Sequence, residues 1–319
     1  MEDSIKNVLI KYDEVAKLIL DQKLDELSDQ MQDLPVDAED FSYEEYIQRI
    51  VMEETRIVTK SMETEPNDEL NGLSMGKYFE ACDFSVLVEI LEFCSLNLDN
   101  GVPESVIDAI ANKDDKDTTY EYAKNTIVSS AWTEDELGDA DSIFEIEFAK
   151  IKACLAVLRK CNNSSLVGTV LERFMSYAQT RDFVAESIAD YIEAFPEVSV
   201  PLMIATLEKH ESEGLTGPCE DLIIMLSHIG KEHPADEIFF AIKEAFRAMK
   251  NKIYAVICLA ELGDGRAIPM LKGYINRNQK TIDRDLFYEI MTAIRDLGGD
   301  ISDIQDPFGD FEKKNEGKL

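Results

Sequence analysis

The sequence predicts an all-α chain: an α-solenoid of stacked helix pairs, with an irregular helical N-terminal region ahead of it. Three observations carry that expectation. Strict apolar–polar alternation is scarce, and Val and Ile fall at i, i+3, i+4 and i+7, the spacing of one helix face. A template of five apolar places at offsets 0, 1, 3, 4 and 7 recurs along the back half, its last members at 161, 195, 229, 262 and 297, so that copies are 34, 34, 33 and 35 residues apart. The residue after each copy, Asn162, Pro196, Gly230, Gly263 or Gly298, is of a type that closes a helix.

The copies are Cys154, Leu155, Val157, Leu158, Cys161; Ile188, Ala189, Tyr191, Ile192, Phe195; Leu222, Ile223, Met225, Leu226, Ile229; Ala255, Val256, Cys258, Leu259, Leu262; and Ile290, Met291, Ala293, Ile294, Leu297. A second helix fits between successive copies at 164–178, 197–211, 234–249 and 266–277, with Pro201, Pro234 and Pro269 near the starts, where proline is least disruptive. Two helices per repeat, each with an apolar face, must stack on neighbours to bury that face.

Upstream the pattern loosens. Leu87, Val88, Ile90, Leu91 and Cys94 fill the template, 67 residues before the copy ending at Cys161, but no good copy lies between them. Helices are expected at 3–32, 42–61, 75–98, 103–112, 119–132 and 141–160. Asp33–Asp40 and Glu63–Gly72 read as linkers or exposed loops, TEDELGDAD as an acidic loop, and Trp132 as a packing residue. The expected divisions are an irregular acidic helical region over 1–115, the solenoid over 116–300 and a tail over 301–319 whose last eight or so residues are disordered.

The segment Leu262-Gly263-Asp264-Gly265-Arg266-Ala267-Ile268-Pro269-Met270-Leu271 resembles the inter-helix turn of HEAT repeats of the short, phycobilisome-lyase type. Ile229-Gly230 and Leu297-Gly298-Gly299-Asp300 keep fragments of that turn, and Phe195-Pro196 departs from it; the resemblance covers roughly 150–300. It implies that Asp264 and Arg266 bind turn backbone and the adjacent repeat, and that second helices line a concave surface. HEAT arrays serve many tasks, so the resemblance does not choose a function.

Charge narrows the partners. With 32 Lys and Arg against 65 Asp and Glu the net charge is -33, of which -23 falls in 1–160 and -10 in 161–319. Such a surface repels nucleic-acid backbone and anionic membrane, so neither is an expected partner. The excess either keeps a long surface soluble or attracts a basic protein. The opening MEDSIKNVLIKYDE lacks the basic-then-apolar order of a secretory leader, and no run of about 18 apolar residues occurs, so a cytoplasmic protein is expected. Six cysteines, at 82, 94, 154, 161, 219 and 258, form no CxxC pair and read as reduced core thiols.

Chemistry-bearing motifs are scarce. His210, His228 and His233 have no HxxxH or HExxH spacing and read as surface or capping residues; no metal site and no cofactor are expected. KDDKD (113–117) and GDADS (138–142) lack the glycine and closing glutamate of a calcium loop and read as charged loops. No phosphate-cradling or nucleophile-elbow motif appears, and with so many acids a carboxylate pair carries no information.

The informative surface is a stripe. Places 9, 5 and 2 before the end of each copy share a second helix face: Lys152, Ala156, Arg159; Glu186, Asp190, Glu193; Glu220, Ile224, Ser227; Ile253, Ile257, Ala260; Tyr288, Thr292, Arg295. An acidic band (Glu186, Asp190, Glu193, Glu220) beside an apolar patch (Ile224, Ile253, Ile257), with Tyr288 and Arg295 beyond, suits an amphipathic or basic segment of another protein; the same isoleucines are core if the helices are more buried. The expected function is a non-enzymatic scaffold binding a protein or peptide on its concave face. Two alternatives stay open: an acidic inhibitor or immunity-type protein masking a basic enzyme, and a HEAT-like lyase.

Overall fold

The computed structural model describes residues 2–31, 55–130, 141–176 and 182–309, with side chains over 2–22, 55–130, 148–175 and 188–309. Among these the regular elements are all helical, and one isolated bridge joins Asn67 to Leu73. Asp33–Asp40, most of TEDELGDAD, Trp132 and the last ten residues lie outside the described residues. The chain divides into two compact units, Met1–Asn163 and Ser164–Leu319.

The first unit holds α1 (Asp3–Met31), α2 (55–64), a 3-10 turn at Asp68–Leu70, α3 (Met75–Ala81), α4 (Phe84–Asn97), α5 (Glu104–Ala111), α6 (Lys116–Ser129) and α7 (Asp141–Lys160). Helix α7 packs against α4, α5 and α6, and α3 against α5. The α1 face made by Ile5, Val8, Leu9, Tyr12 and Ala16, at helical spacing, is buried. Ala153 and Val157 of α7 share one core with Leu87, Ile90, Leu91 and Cys94 of α4, and Cys161 packs against it, so two places of the first template copy pack within this unit.

Three expectations are corrected here. The single helix over 75–98 is two: Cys82 and Asp83 are both extended, and the Asp83 carbonyl starts α4 by accepting from Val86 and Leu87 N–H. Lys113 holds this break, its ammonium donating to the Glu80 and Cys82 carbonyls at 3.1 and 2.5 Å. The Glu63–Gly72 segment is not simply an exposed loop, because Glu63 and Leu70 are buried and Asn67 caps the 3-10 turn through Glu69 N–H. KDDKD is more than a charged loop: Asp115 caps α6, accepting from Thr118 N–H at 3.0 Å and the Thr118 hydroxyl at 2.7 Å.

The second unit holds α8 (Val167–Ser176), α9 (Asp182–Glu193), α10 (Pro196–His210), α11 (Pro218–Glu232), α12 (Asp236–Ala248), α13 (Ile253–Glu261), α14 (Ala267–Asn278) and α15 (Arg284–Asp296). Alternate helices touch: α9 packs on α11, α11 on α13 and α13 on α15, while α8 packs on α10 and α10 on α12. For α9, α11, α13 and α15 the template accounts for this. None of its 25 places is exposed; Cys161, Ala189, Leu262 and Leu297 are half-buried and the rest are buried.

The helix-closing residues behave unequally. Asn162, Gly263 and Gly298 take positive φ of 53°, 66° and 78°, the left-handed closure expected of them. After two of them the next N–H reaches back five residues, Asn163 to the Leu158 carbonyl and Gly299 to that of Ile294. Pro196 follows the end of α9 and opens α10 at its first position. Gly230 is the exception, since α11 runs through it to Glu232. A Cβ at Gly230 would stand 2.5 Å from Leu262 Cδ2 and 3.0 Å from Ile238 Cγ2, so this glycine admits the next repeat at close range instead of ending a helix. Pro201, expected near a helix start, sits inside α10.

Candidate partner-binding surface

The stripe residues are carried by α7 in the first unit and by α9, α11, α13 and α15 in the second. Asp190, Ile257, Thr292 and Arg295 are exposed, and Glu193, Glu220, Ile224, Ile253 and Tyr288 half-buried; Ser227 is the buried member. The side chain of Glu186 lies outside the described ones. Ile257 keeps 38% of its surface exposed and its neighbour Tyr254 keeps 40%, so that part of the apolar patch faces solvent, not core.

Links between neighbouring second helices run along the stripe. His228 Nδ1 of α11 lies 3.1 Å from Glu193 Oε1 of α9. The Ser227 hydroxyl donates to Glu261 Oε2 of α13 at 2.9 Å and also reaches the Ile224 carbonyl. These bonds span 35 and 34 residues, the repeat period, so the polar ladder has the periodicity of the core. Burial holds the Glu193 carboxyl above the usual carboxylate range against the pull of His228, with Asp190 and Glu232 adding like charge. Burial also raises Glu220. An acidic band partly stripped of water gains most from an incoming cation, because its charge is poorly solvated without one.

At the C-terminal end the chain covers part of its own stripe. The Tyr288 hydroxyl donates to the Asp306 carboxylate at 3.1 Å, and the Phe308 ring packs on Phe287 and Tyr288 at centroid distances of 5.7 and 6.0 Å. The Arg284 guanidinium stands 5.9 Å from the Tyr288 ring centre. Tyr288 is therefore tied to residues 306–308, a link between α15 and the following segment that helical spacing cannot reveal.

Asp264 and Arg266 hold the turn between α13 and α14. Asp264 Oδ1 accepts the Arg266 backbone N–H at 2.9 Å, and the Arg266 guanidinium bridges Asp264 Oδ2 at 2.6 Å and Asp236 Oδ1 of α12 at 2.8 Å. That guanidinium also lies 4.4 Å from the Phe239 ring centre. Hydrogen bonding to Arg266 keeps the Asp264 carboxyl below its ordinary range. Both side chains are engaged in joining one helix pair to the next.

The histidines and thiols carry no concentrated chemistry. His210 Nδ1 pairs with Glu213 at 2.8 Å, His228 with Glu193, and His233 follows the end of α11. Burial pushes the Cys94, Cys154 and Cys258 thiols up to about 12 and Cys219 up to about 11, away from the thiolate form a nucleophile needs. Among the described residues no three His, Cys, Asp or Glu side chains converge as metal ligands, and no helix is long and apolar enough to cross a membrane.

Sequence spacing missed one feature. A cavity of about 400 Å³ opens between α10 and α12, floored by Ile204, Leu207, Leu215 and Phe240. Glu208, Glu211, Glu237 and Glu244 also line it. Its walls are visible singly in the sequence, as Ile204, Leu207, Glu208, Glu211 and as Glu237, Phe240, Ala241, Glu244, both at offsets 0, 3, 4 and 7; what the sequence does not show is that these two faces meet. Comparison with protein-family models, with curated proteins and with solved structures gives no match.

Proposed function

We propose that the chain is a HEAT-like α-solenoid scaffold that binds a protein or peptide along the concave surface lined by its second helices. One observation carries this reading: α9, α11, α13 and α15 pack each on the next through the buried template, while Asp190, Ile257, Thr292 and Arg295 of the neighbouring stripe stay exposed. A row of like-spaced helices with its outer stripe in water offers an extended platform, the form in which solenoids recognise extended or helical segments. The acidic band at Asp190, Glu193 and Glu220 would take Lys or Arg side chains, and Ile224, Ile253 and Ile257 the apolar face between them.

The test is a photo-crosslinking amino acid at Ile257 in the native cell, with and without Asp190→Arg plus Glu193→Arg. A discrete protein adduct that the double substitution removes supports the stripe; adducts identical in both backgrounds, or none, overturn it.

A second reading, an acidic inhibitor of a basic enzyme, is favoured by the -23 charge of Met1–Asn163 against -10 for Ser164–Leu319. Salt separates the two. A charge decoy releases its partner steeply as the Debye length shrinks from about 10 Å at 0.1 M to about 3 Å at 1 M, while a complex that also covers the Ile224, Ile253 and Ile257 patch loses less.

A further inference from the structure

We propose that the cavity between α10 and α12 is a docking groove for an amphipathic helix of another protein, one whose apolar stripe is flanked by Lys or Arg. This goes beyond the reading above, because the groove is built on the first helices of two successive pairs and shares no residue with the stripe.

The floor is prepared for an apolar insert. Leu207 and Leu215 are buried at its base, while Phe240 leaves 48% of its surface in water, an uncommon exposure for a ring beside an apolar hollow. Leu215 holds its place through a left-handed backbone, φ 48°, directly after Gly214 at φ 93°, a conformation unfavourable for leucine that here turns its side chain inward. One wall is the α10 face of Ile204, Leu207 and Glu208, continued by Glu211 just past the helix end, and the other the α12 face of Glu237, Phe240, Ala241 and Glu244, so the groove runs along two helices and matches the i, i+4, i+7 row of a third.

Charge selects the occupant. Glu208, Glu211, Glu237 and Glu244 line the groove, all exposed. Of these Glu244 already binds a guanidinium, that of Arg247, at 2.7 Å, and the Phe240 ring already has an ammonium, that of Lys243, 5.4 Å from its centre. The α12 wall thus accepts cations in the chain's own structure. A second copy of this chain is a poor occupant, since its net charge of -33 would meet the same acidic wall.

The experiment uses the full chain and a fluorescein-labelled peptide of about 18 residues, some five helical turns, carrying leucines at i, i+4, i+7 and i+11 between lysines. Controls are the same composition with leucines off one face and a version with glutamate for lysine. Anisotropy at about 0.15 M salt should show saturable binding of the first peptide, weakened about tenfold or more by each control, by Phe240→Ser and by Glu208→Lys plus Glu237→Lys. All are measured in an Asp190→Arg plus Glu193→Arg background, which removes the acidic stripe as a second place for the peptide, and circular dichroism should report the same helicity for all variants. Equal binding of the off-face peptide, or binding that survives both groove variants, overturns the proposal. So does saturable binding by the unsubstituted chain that is absent from the Asp190→Arg plus Glu193→Arg background, which would support the stripe instead.

Discussion

In Ser164–Leu319 the second helices are held by apolar places that recur at the repeat period, whereas Met1–Asn163 combines an aperiodic apolar core, running from Ile5 to Val157, with long ties made by single buried carboxylates. Glu63, buried, accepts the Tyr12 hydroxyl at 2.9 Å and the Ser105 N–H at 2.6 Å, across 51 and 42 residues of chain. Asp13, also buried, accepts the Asn100 N–H and its side-chain amide, both at 2.9 Å and across 87 residues. The difference teaches where stability is concentrated. A periodic unit spreads it over equivalent contacts, and an aperiodic one adds to its core a few satisfied buried groups whose loss strands their partners.

The largest effect should come from cutting the periodic core at its centre. Leu259 is fully buried in α13, which packs on both α11 and α15, so Leu259→Ala should destabilise the second unit by about 4 kcal/mol. Hydrogen exchange followed by mass spectrometry should speed up in α11, α13 and α15 together; a change confined to α13 would break the picture of neighbour-coupled repeats. Next comes Glu63→Ala, which strands the Ser105 N–H and the Tyr12 hydroxyl and should weaken the first unit by about 3 kcal/mol. Faster exchange in α1, α3 and α5 with α13 untouched is the expected pattern.

A substitution at Gly230 sharpens the contrast between close packing and backbone need. Gly230→Val should cost about 2 kcal/mol through its clash with Leu262, and pairing it with Leu262→Ala should return part of that loss. At Gly263 a Cβ would meet nothing within 4 Å, so Gly263→Ala should cost about 1 kcal/mol from its φ of 66° alone, and Leu262→Ala should not relieve it. Chemical denaturation measures both.

The smallest difference between the units is expected from alkaline pH. Burial raises the Cys94 and Cys154 thiols in the first unit and Cys219 and Cys258 in the second. A group whose folded pKa exceeds its unfolded value holds its proton more tightly when folded. Its stabilisation is whole below about pH 9 and is lost as pH climbs toward about 11 to 12. Both units should weaken over the same window, and alkylation at pH 8 should modify half-buried Cys82 and Cys161 before the other four. Early alkylation of Cys94 or Cys258 would contradict this.

How much was legible follows the range of the physics. Helix faces were readable because 3.6 residues per turn set which side chains share a side, so Leu222, Ile223, Met225 and Leu226 could be assigned to the core from spacing alone. Closures at Asn162, Gly263 and Gly298 were readable because a left-handed residue is a local demand. Gly230 has the same chemistry and the same register, but its cause is Leu262, 32 residues on, and nothing local distinguishes it. The break at Cys82–Asp83 was hidden for a related reason, since apolar periodicity continues across it and its support comes from Lys113.

By itself the sequence determined an all-α fold, the period of its back half, the side of each second helix that is buried, and a net charge of -33. Tertiary structure alone decided that Glu63 and Asp13 are interior hydrogen-bond acceptors, that Tyr288 is tied to Asp306, and that the acidic faces of α10 and α12 meet around an apolar hollow. The reason is distance along the chain: a helix face is set by neighbours three and four residues away, while a groove or a buried bond joins residues many turns apart.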